Sequence, residues 1–490
     1  MTITLSIVRS FIPPNHLETD TTRTGLLQHI ASGAINDSNE RCDAPKCHTE
    51  TRAALQEEIV TWIRHGDADD EPRQILWLTG PAGTGKTAIA GSVADKCQRE
   101  GWLAASFFFS AFAGSPTRRS KMCLITSLAY QLIQHDAIHG LKDLVLAAID
   151  HDPLIFDKRL DHQLRVMILE PLRKLSKQKP QSIEQWPLAI IIDGLDECTG
   201  QTAPNATQKE ARRSKEESHK EILSVLMQAV NDPAFPFHII IASRPEPVIR
   251  DFFSAFPDIA HEIFLDEKYD PDSDIALFLS SKFADIRRRY NLPTEWVPAT
   301  TFSTIATIAD VIEFLVRESS GQFIYAVTAA RYIEDGTHPP QEQLKRVLEW
   351  RRQDESGPFA PLDALYRRIL ETSPDPLLAA KWICSIDPIR QNTVYGYHMD
   401  QYVKALLETS LGEMEYLLRS LPSLLGVHDD KGALNFRLYH KTFVDFLEDQ
   451  SRSADLHISA DVLRQYLCER HYRVLKSTWI GIGTAVRATH

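Results

Sequence analysis

The sequence predicts an α/β fold in which a parallel sheet is flanked by helices, followed by an all-helical domain and a winged-helix domain. Strand-like and helix-like segments alternate between residues 75 and 242, and the strands are apolar on both faces, as in buried parallel sheets. From residue 270 onward, amphipathic helical patterns replace the strands. A hairpin pattern at 424–440, with helical patterns before and after it, is typical of a winged helix.

Length and composition agree with a folded protein of several domains. The chain has 490 residues, enough for about three domains of ordinary size, and its hydrophobic content of 43% is that of a globular protein. With 54 basic against 66 acidic residues, the net charge of −12 gives the whole chain no electrostatic reason to bind nucleic acid. No apolar run approaches the ~20 residues of a membrane helix and no signal-peptide pattern is present, which predicts a cytoplasmic protein without a membrane span.

The individual elements follow from the apolar runs and the patterns between them. The first 48 residues carry no long periodic stretch and predict an irregular lead-in, and the polar stretch 200–218 predicts a solvated loop. The predicted strands are 75–78, 103–109, 188–192 and 237–242, and the predicted helices between and after them include 85–99, 121–135, 219–230, 272–290 and 321–333.

A glycine-rich segment lies between the first predicted strand and the helix that follows it. It reads Gly80-Pro81-Ala82-Gly83-Thr84-Gly85-Lys86-Thr87-Ala88 and fits the P-loop pattern GxxxxGK[ST]. The glycines let the loop fold tightly, so that backbone N–H groups and the helix N-terminus face a bound phosphate. Lys86 adds a positive charge at the β- and γ-phosphates, and the Thr87 hydroxyl completes the shell of Mg²⁺. The alternative is a glycine-rich turn that binds nothing.

A second acidic element follows about a hundred residues later, where the apolar strand 188–192 runs into Asp193-Gly194-Leu195-Asp196-Glu197. A carboxylate at the C-terminal end of a strand lies in the ligand crevice of an open α/β sheet. Asp193 is therefore predicted as the Mg²⁺ ligand, through water, because Mg²⁺ keeps several waters and takes few carboxylates. Glu197 or Asp196 is predicted to orient or polarise the attacking water. A solvated acidic turn is the structural alternative.

The third element is the strand 237–242 and the Ser243-Arg244-Pro245 that follows it. A guanidinium at this edge of the sheet would lie near the γ-phosphate and could report its presence by pairing with it. Arg244 is thus predicted to contact phosphate, against the alternative of an ordinary surface arginine.

Together these motifs resemble the NACHT branch of the signal-transduction ATPases with numerous domains (STAND), and more narrowly the fungal, nephrocystin-type P-loop proteins. The likeness extends to the lead-in 32–63, the helical segment 320–333 and the end of the winged helix at 438–447. It implies an ATP- or GTP-dependent switch that rests with ADP bound, and opens and forms a homo-oligomer on activation. The resemblance divides the chain into a lead-in (1–48), a NACHT-type nucleotide-binding domain (49–266), a helical lid (267–355), a winged helix (356–455) and a C-terminal helix and tail (456–490).

The resemblance also implies two details of the site. Related switches use a winged-helix histidine to contact the β-phosphate of ADP, a position that His440 matches, although a helix cap or a core residue is the ordinary reading of such a histidine. Such proteins often carry an arginine after the strand that ends here at 110. This chain has Ala111 instead, and Arg118 or Arg119 is the expected substitute.

Two functions from different classes remain open from the sequence. The first is a regulated switch that binds Mg·ATP and hydrolyses it slowly, and the second is a non-hydrolysing scaffold with structural ADP. A GTPase of the kind that reads its base through an [NT]KxD motif is disfavoured, because that motif does not occur. Residues 1–30 and 455–490 are too few for an effector domain and a repeat sensor. We therefore expect separate partner proteins or a shortened gene product, with fungal non-self recognition as the pathway that the family suggests.

Overall fold

The computed structural model describes residues 23–42, 44–48, 50–66, 72–111, 115–178, 185–200, 207–266, 269–298, 305–350, 359–391, 399–430 and 433–487. The contacts within the chain divide it into two compact units. The first comprises Met1–Pro81 and Gly85–Tyr269, and the second comprises Ala82–Thr84 and Asp270–His490. The boundary at 269/270 lies close to the predicted end of the nucleotide-binding domain at 266.

The first unit is built on a sheet whose described strands are all parallel. Alternate residues of each strand enter two different apolar layers, so that Ile190 and Ile192 lie in one layer and Ile191 in the other. Both faces are therefore covered, and the predicted buried parallel sheet is confirmed. The strands are β1 (Ile75–Thr79), β2 (Leu103–Phe108), β3 (Ala189–Asp193), β4 (His238–Ser243) and β5 (Ala260–Phe264), in the spatial order β2-β3-β4-β1-β5.

Helices follow or precede these strands on both faces of the sheet. A π-helical turn at Arg165–Leu169 joins two of them into one longer run. The helices are α1 (Ala53–His65), α2 (Lys86–Arg99), α3 (Leu124–Leu132), α4 (Leu141–His151), α5 (Leu160–Leu164), α6 (Glu170–Gln178), α7 (Gln208–Val230) and α8 (Pro247–Ala255).

The prediction of a solvated loop over 200–218 is wrong for its second half, because α7 already begins at Gln208. The Thr207 side chain accepts from the backbone of Glu210, and the Glu210 side chain accepts from the backbone N–H of Thr207. This reciprocal capping box starts a helix whose first turns are polar. Two arginine–glutamate pairs, four residues apart, add support to the exposed turns.

The described part of the lead-in is ordered and packed, which differs from the irregular segment predicted for 1–48. Residues 23–28 are helical, and short 3₁₀ turns occupy Ser32–Ala34 and Asn39–Arg41. Ala31 and Ala34 are fully buried, and the Ala31 N–H donates to the Ser127 hydroxyl at 2.9 Å. The lead-in thus contributes to the core of the first unit.

The second unit is helical apart from one described hairpin. The strands β6 (Leu425–Asp430) and β7 (Ala433–Leu438) pair antiparallel, as the pattern at 424–440 predicts. The buried Asp400 carboxylate accepts from Arg390 and from the Phe436 N–H, which ties two helices to β7. The helices are α9 (Pro271–Arg289), α10 (Ile308–Ser319), α11 (Phe323–Glu334), α12 (Pro340–Glu349), α13 (Ala360–Leu370), α14 (Pro376–Gln391), α15 (Met399–Leu407), α16 (Glu413–Leu418), α17 (Lys441–Glu448), α18 (Gln450–Ser453) and α19 (Ala460–Arg487).

Among the described residues, no helix combines the length and the apolar character that crossing a bilayer requires.

Candidate nucleotide-binding site

The glycine-rich loop connects β1 to α2, and three of its glycines have positive φ. The φ values of Gly80, Gly83 and Gly85 are 150°, 84° and 95°. A Cβ atom on Gly80 would lie 3.0 Å from the Cβ of Leu265, so the backbone there approaches its neighbour too closely for a side chain. Because α2 begins at Lys86, directly after Gly85, the positive end of its helix dipole adjoins the loop. This backbone is suited to cradling a phosphate.

Lys86 carries the positive charge of the loop, and two backbone carbonyl groups hold its ammonium group. Its Nζ donates to the carbonyl oxygens of Gly80 at 2.8 Å and Pro81 at 2.7 Å. Burial lowers the pKa of Lys86 to about 8; the positive charge of Arg244 acts in the same direction, and Asp196 opposes it. A bound polyphosphate would favour the charged ammonium, since an opposite charge nearby stabilises it.

Asp193 ends β3 and lies at the carboxyl edge of the sheet. Its neighbours in register are Phe108 on β2 and Ala242 on β4, and its residue exposure is only 2%. The Thr87 hydroxyl lies close enough to act on its carboxylate. Burial raises the pKa of Asp193 to about 7, and two neighbouring carboxylates act in the same direction, whereas Arg41 opposes them.

The pairing of Thr87 with Asp193 fits a magnesium–nucleotide complex. Mg²⁺ in nucleotide sites is held by one or two protein oxygens, with waters and phosphate oxygens filling the remaining positions. A hydroxyl and a single carboxylate meet that demand. Within the described residues no group of three or more His, Cys, Asp or Glu side chains is arranged to hold a metal.

The structure brings Asp196 and Arg244 together. Asp196 is 3% exposed and lies in the 3₁₀ turn Leu195–Glu197, directly after β3. Its Oδ1 accepts from the Arg244 N–H at 3.1 Å, and its Oδ2 lies 3.4 Å from the Arg244 Nε. The predicted sensor arginine is therefore anchored by one of the two predicted water-orienting carboxylates.

The Glu197 side chain points away from that of Asp196. Its Oε2 accepts from the backbone N–H of Ala111 at 2.9 Å, and Ala111 lies just beyond the end of β2. The side chains of Asp196 and Glu197 therefore diverge, one toward the end of β4 and the other toward the end of β2.

The two arginines expected to substitute for a basic residue after β2 contact the protein backbone, and their contact with a ligand stays a prediction. Arg118 is buried, and its guanidinium donates to the Phe108 carbonyl at the end of β2 through contacts of 3.3 and 3.4 Å. Its Nη1 lies 3.6 Å from a carboxylate oxygen of Glu40. Arg119 instead donates to the Ala111 carbonyl at 3.0 Å and braces the loop. Burial lowers the pKa of Arg118, while Glu40 and Glu197 oppose that shift.

One basic residue of the site, Arg41, was not singled out from the sequence. It comes from the lead-in, is 5% exposed, and Asp193 is the foremost negative charge acting on it. Burial lowers the pKa of Arg41 to about 10. No short motif surrounds Arg41, so a single sequence offers no signal for its placement.

His440 lies in the second unit, where it caps a helix. Its Nδ1 contacts the Thr442 hydroxyl at 2.7 Å and accepts from the Thr442 N–H at 3.2 Å, at the first turn of α17. The ordinary role of a helix cap is therefore present. Contact between His440 and a β-phosphate stays a prediction.

The remaining predicted residues converge in the first unit. Arg244, Asp193, Asp196 and Glu197 all act electrostatically on Lys86. Two cations near the glycine-rich loop, with a hydroxyl and several carboxylates beside them, form a set whose chemistry suits a nucleoside triphosphate bound with Mg²⁺.

Comparison with known proteins agrees with this geometry. Residues 53–244 match the family model described as "Nephrocystin 3, N-terminal", which spans less than half of the chain. Among curated proteins, none matches the sequence.

Several solved structures are similar in fold. The ORC2 protein of Aeropyrum pernix, determined in ADPNP–ADP complexes, is 12% identical over 90% of this chain and 100% of its own, with a TM-score of 0.35. A Walker-type ATPase of Pyrococcus abyssi is 14% identical over 82% and 97%, with a TM-score of 0.37. Drosophila ORC bound to DNA is 15% identical over 80% and 92%, with a TM-score of 0.33.

The family match agrees with the resemblance predicted from the sequence, within residues 53–244. This matched part of the chain contains the glycine-rich loop between β1 and α2 and the strand β3 that ends at Asp193, and it is similar to the N-terminal region of nephrocystin 3.

Proposed function

We propose that the protein is a nucleotide-binding switch that binds Mg·ATP, hydrolyses it slowly and rests with ADP bound. The observation that carries this proposal is the buried Asp193 carboxylate at the end of β3, close to the Thr87 that follows the glycine-rich loop. That pair supplies the two protein oxygens that a phosphate-bound Mg²⁺ needs. The cations Lys86 and Arg244 support the same reading, since two neighbouring positive charges favour a polyanionic ligand.

Each residue then has a defined task. The backbone of Gly80–Gly85 and the Lys86 ammonium bind the phosphates. Thr87, and Asp193 through water, would hold Mg²⁺, and that ion would supply neutralising charge for the phosphate oxygens. Glu197 orients the attacking water and accepts its proton as the water oxygen bonds to the γ-phosphorus. The bond to the bridging oxygen breaks, and ADP leaves with those electrons.

The proposed output is opening of the domains and assembly into a homo-oligomer in intracellular signalling, with non-self recognition as the pathway by analogy with fungal relatives. A switch requires that the triphosphate and diphosphate states make different contacts. Arg244, at the edge where a γ-phosphate would lie, is the residue proposed to distinguish them. The activating signal would come from separate sensor or effector proteins.

The decisive experiment identifies the nucleotide that co-purifies with the protein by mass spectrometry. The oligomeric state is then measured before and after exchange for a non-hydrolysable ATP analogue. We expect co-purified ADP, slow phosphate release from ATP, and assembly with the analogue. Lys86→Ala should abolish nucleotide binding, whereas Lys96→Ala, which removes an exposed lysine from the same helix, should not.

Two results would redirect the proposal. A tightly held ADP that never exchanges, with no assembly on adding the analogue, would favour the scaffold with structural ADP. Phosphate release no faster than that of Lys86→Ala would remove the ATPase activity from the proposal.

A further inference from the structure

Asp196 contacts Arg244 at two points near the base of the arginine side chain. The carboxylate receives the backbone N–H at 3.1 Å through Oδ1 and faces Nε at 3.4 Å through Oδ2. Because the guanidinium is planar, an ion pair at Nε favours one orientation of the plane in which both terminal amino groups lie. Asp196 thus sets the orientation of the group that would meet a phosphate.

The backbone on both sides of this pair is constrained. Gly194 has a φ of 70° and begins the turn that carries Asp196, and a Cβ atom on Gly194 would lie 3.0 Å from the Phe109 carbonyl oxygen. The Glu246 N–H donates to the Arg244 carbonyl at 2.9 Å, at the start of α8. Since both ends are held by main-chain contacts, the carboxylate–guanidinium pair is a built feature of the fold.

The charge around the pair favours an anion. Lys86 and Arg244 influence each other as like charges, and Asp196 lies between the end of β3 and the end of β4 with a residue exposure of only 3%. One buried carboxylate faces the base of the guanidinium at an ion-pair distance, while the loop and Lys86 provide a positive environment for phosphate. Glu197 accepts from the backbone N–H of Ala111 on the other side.

We propose that Asp196 is a positioning residue, which holds the Arg244 guanidinium toward the terminal phosphate of a bound nucleoside triphosphate, and that Glu197 alone is the carboxylate that acts on water. This inference rests on the proposed nucleotide-binding function. The sequence predicts that Glu197 or Asp196 acts on the attacking water, and this inference gives that role to Glu197 and a different one to Asp196.

The test measures dissociation constants for Mg·ADP and for Mg·AMP-PNP by calorimetry, in the full chain. Loss of one charge-assisted contact to the γ-phosphate should weaken AMP-PNP about tenfold in Arg244→Ala, with ADP affinity changed by less than about twofold. Asp196→Asn should weaken AMP-PNP by about three- to tenfold through misplacement of the same guanidinium. The double variant should be no weaker than Arg244→Ala alone, within about twofold.

Two further variants exclude a merely structural effect. Arg244→Lys keeps the charge but lacks Nε, so it should lose the preference for AMP-PNP, and adding Asp196→Asn should then change nothing more. Glu197→Gln should bind both nucleotides as the wild type does. Unchanged ADP affinity in each variant shows that the loop is folded. If Asp196→Asn fails to bind ADP, the Arg244→Lys comparison with wild type carries the test.

The possible failures are distinguishable. If the wild type binds neither nucleotide, the proposed function itself is wrong. If the wild type binds both nucleotides, two results would contradict only the positioning role of Asp196. One is an unchanged AMP-PNP affinity in Asp196→Asn, and the other is a double variant that binds AMP-PNP more weakly than Arg244→Ala.

Discussion

The guanidinium of Arg41 lies over the ring of Phe108, with its Cζ atom 3.3 Å from the ring centroid. Phe108 is the register partner of Asp193, so this stacking brings a lead-in arginine beside the buried carboxylate of the site. The Nε of Arg41 is buried without a hydrogen-bond partner in the described part of the chain. The lead-in is therefore an electrostatic part of the nucleotide-binding domain.

Arg41→Met should destabilise the protein. It removes the cation–π contact with Phe108 and leaves Asp193 without its main nearby positive charge. We expect a loss of about 1–3 kcal/mol, measured as a lower midpoint of unfolding in buffer with EDTA. Arg41→Lys should recover only part of it, because an ammonium does not stack flat on a ring. Arg99→Met, at an exposed position on α2, is the control, and an equal loss there would contradict the role of Arg41.

Asp193→Asn should make stability less dependent on pH. Burial raises the pKa of Asp193 from an ordinary value of 3.8 to about 7, so between these values the folded protein holds a proton that the unfolded chain has released. Stability is therefore lost as the pH rises through that window, and the neutral asparagine avoids this loss. At pH 8 in EDTA we expect Asp193→Asn to be more stable by at least about 1 kcal/mol, since one pKa unit corresponds to about 1.4 kcal/mol.

The measurement is thermal or urea unfolding at several pH values between about 4 and 8, the range of this linkage. The advantage of Asp193→Asn should shrink toward zero at the acid end. The same variant should lose the Mg²⁺ dependence of nucleotide binding. A stability difference that stays constant across the range would contradict a raised pKa for Asp193.

The parts of the site that could be predicted are those in which a short contiguous segment sets its own geometry. The glycine-rich loop and Asp193 at a strand end belong to this class, because their chain neighbours determine where they lie. Arg41 could not be predicted, because tertiary packing alone brings it over Phe108 at the end of β2. The start of α7 was missed although its signal was present, as Thr207 and Glu210 form a capping pair three residues apart.

Gly194→Ala should disturb the turn that carries both acidic side chains. The added Cβ would be strained by the φ of 70° and would lie 3.0 Å from the Phe109 carbonyl oxygen. Gly101→Ala is the matched control, because its φ is 75° and no atom lies within 4 Å of its Cβ. Each variant should lose about 1–2 kcal/mol from backbone strain. Gly194→Ala alone should lose further stability from the close Phe109 contact, and it should also lose most of the ATP turnover. Equal losses of stability in the two variants would show that the Phe109 contact is unimportant.

Glu197→Gln should separate nucleotide binding from hydrolysis. The glutamine side-chain oxygen is still able to accept from the Ala111 N–H, so the turn is expected to keep its structure. The amide has no basic site for the proton of the attacking water, and phosphate release should fall by about 10²–10⁴-fold, the usual contribution of a general base. Binding of ATP should remain as in the wild type.

With hydrolysis blocked in Glu197→Gln, the triphosphate-bound state should persist. The oligomer proposed for that state should then accumulate with added ATP, as measured by size-exclusion chromatography. Phosphate release at the wild-type rate would show that Glu197 does not act in the reaction. Blocked hydrolysis without an oligomer would support the catalytic role of Glu197 but contradict the proposed link between bound ATP and assembly.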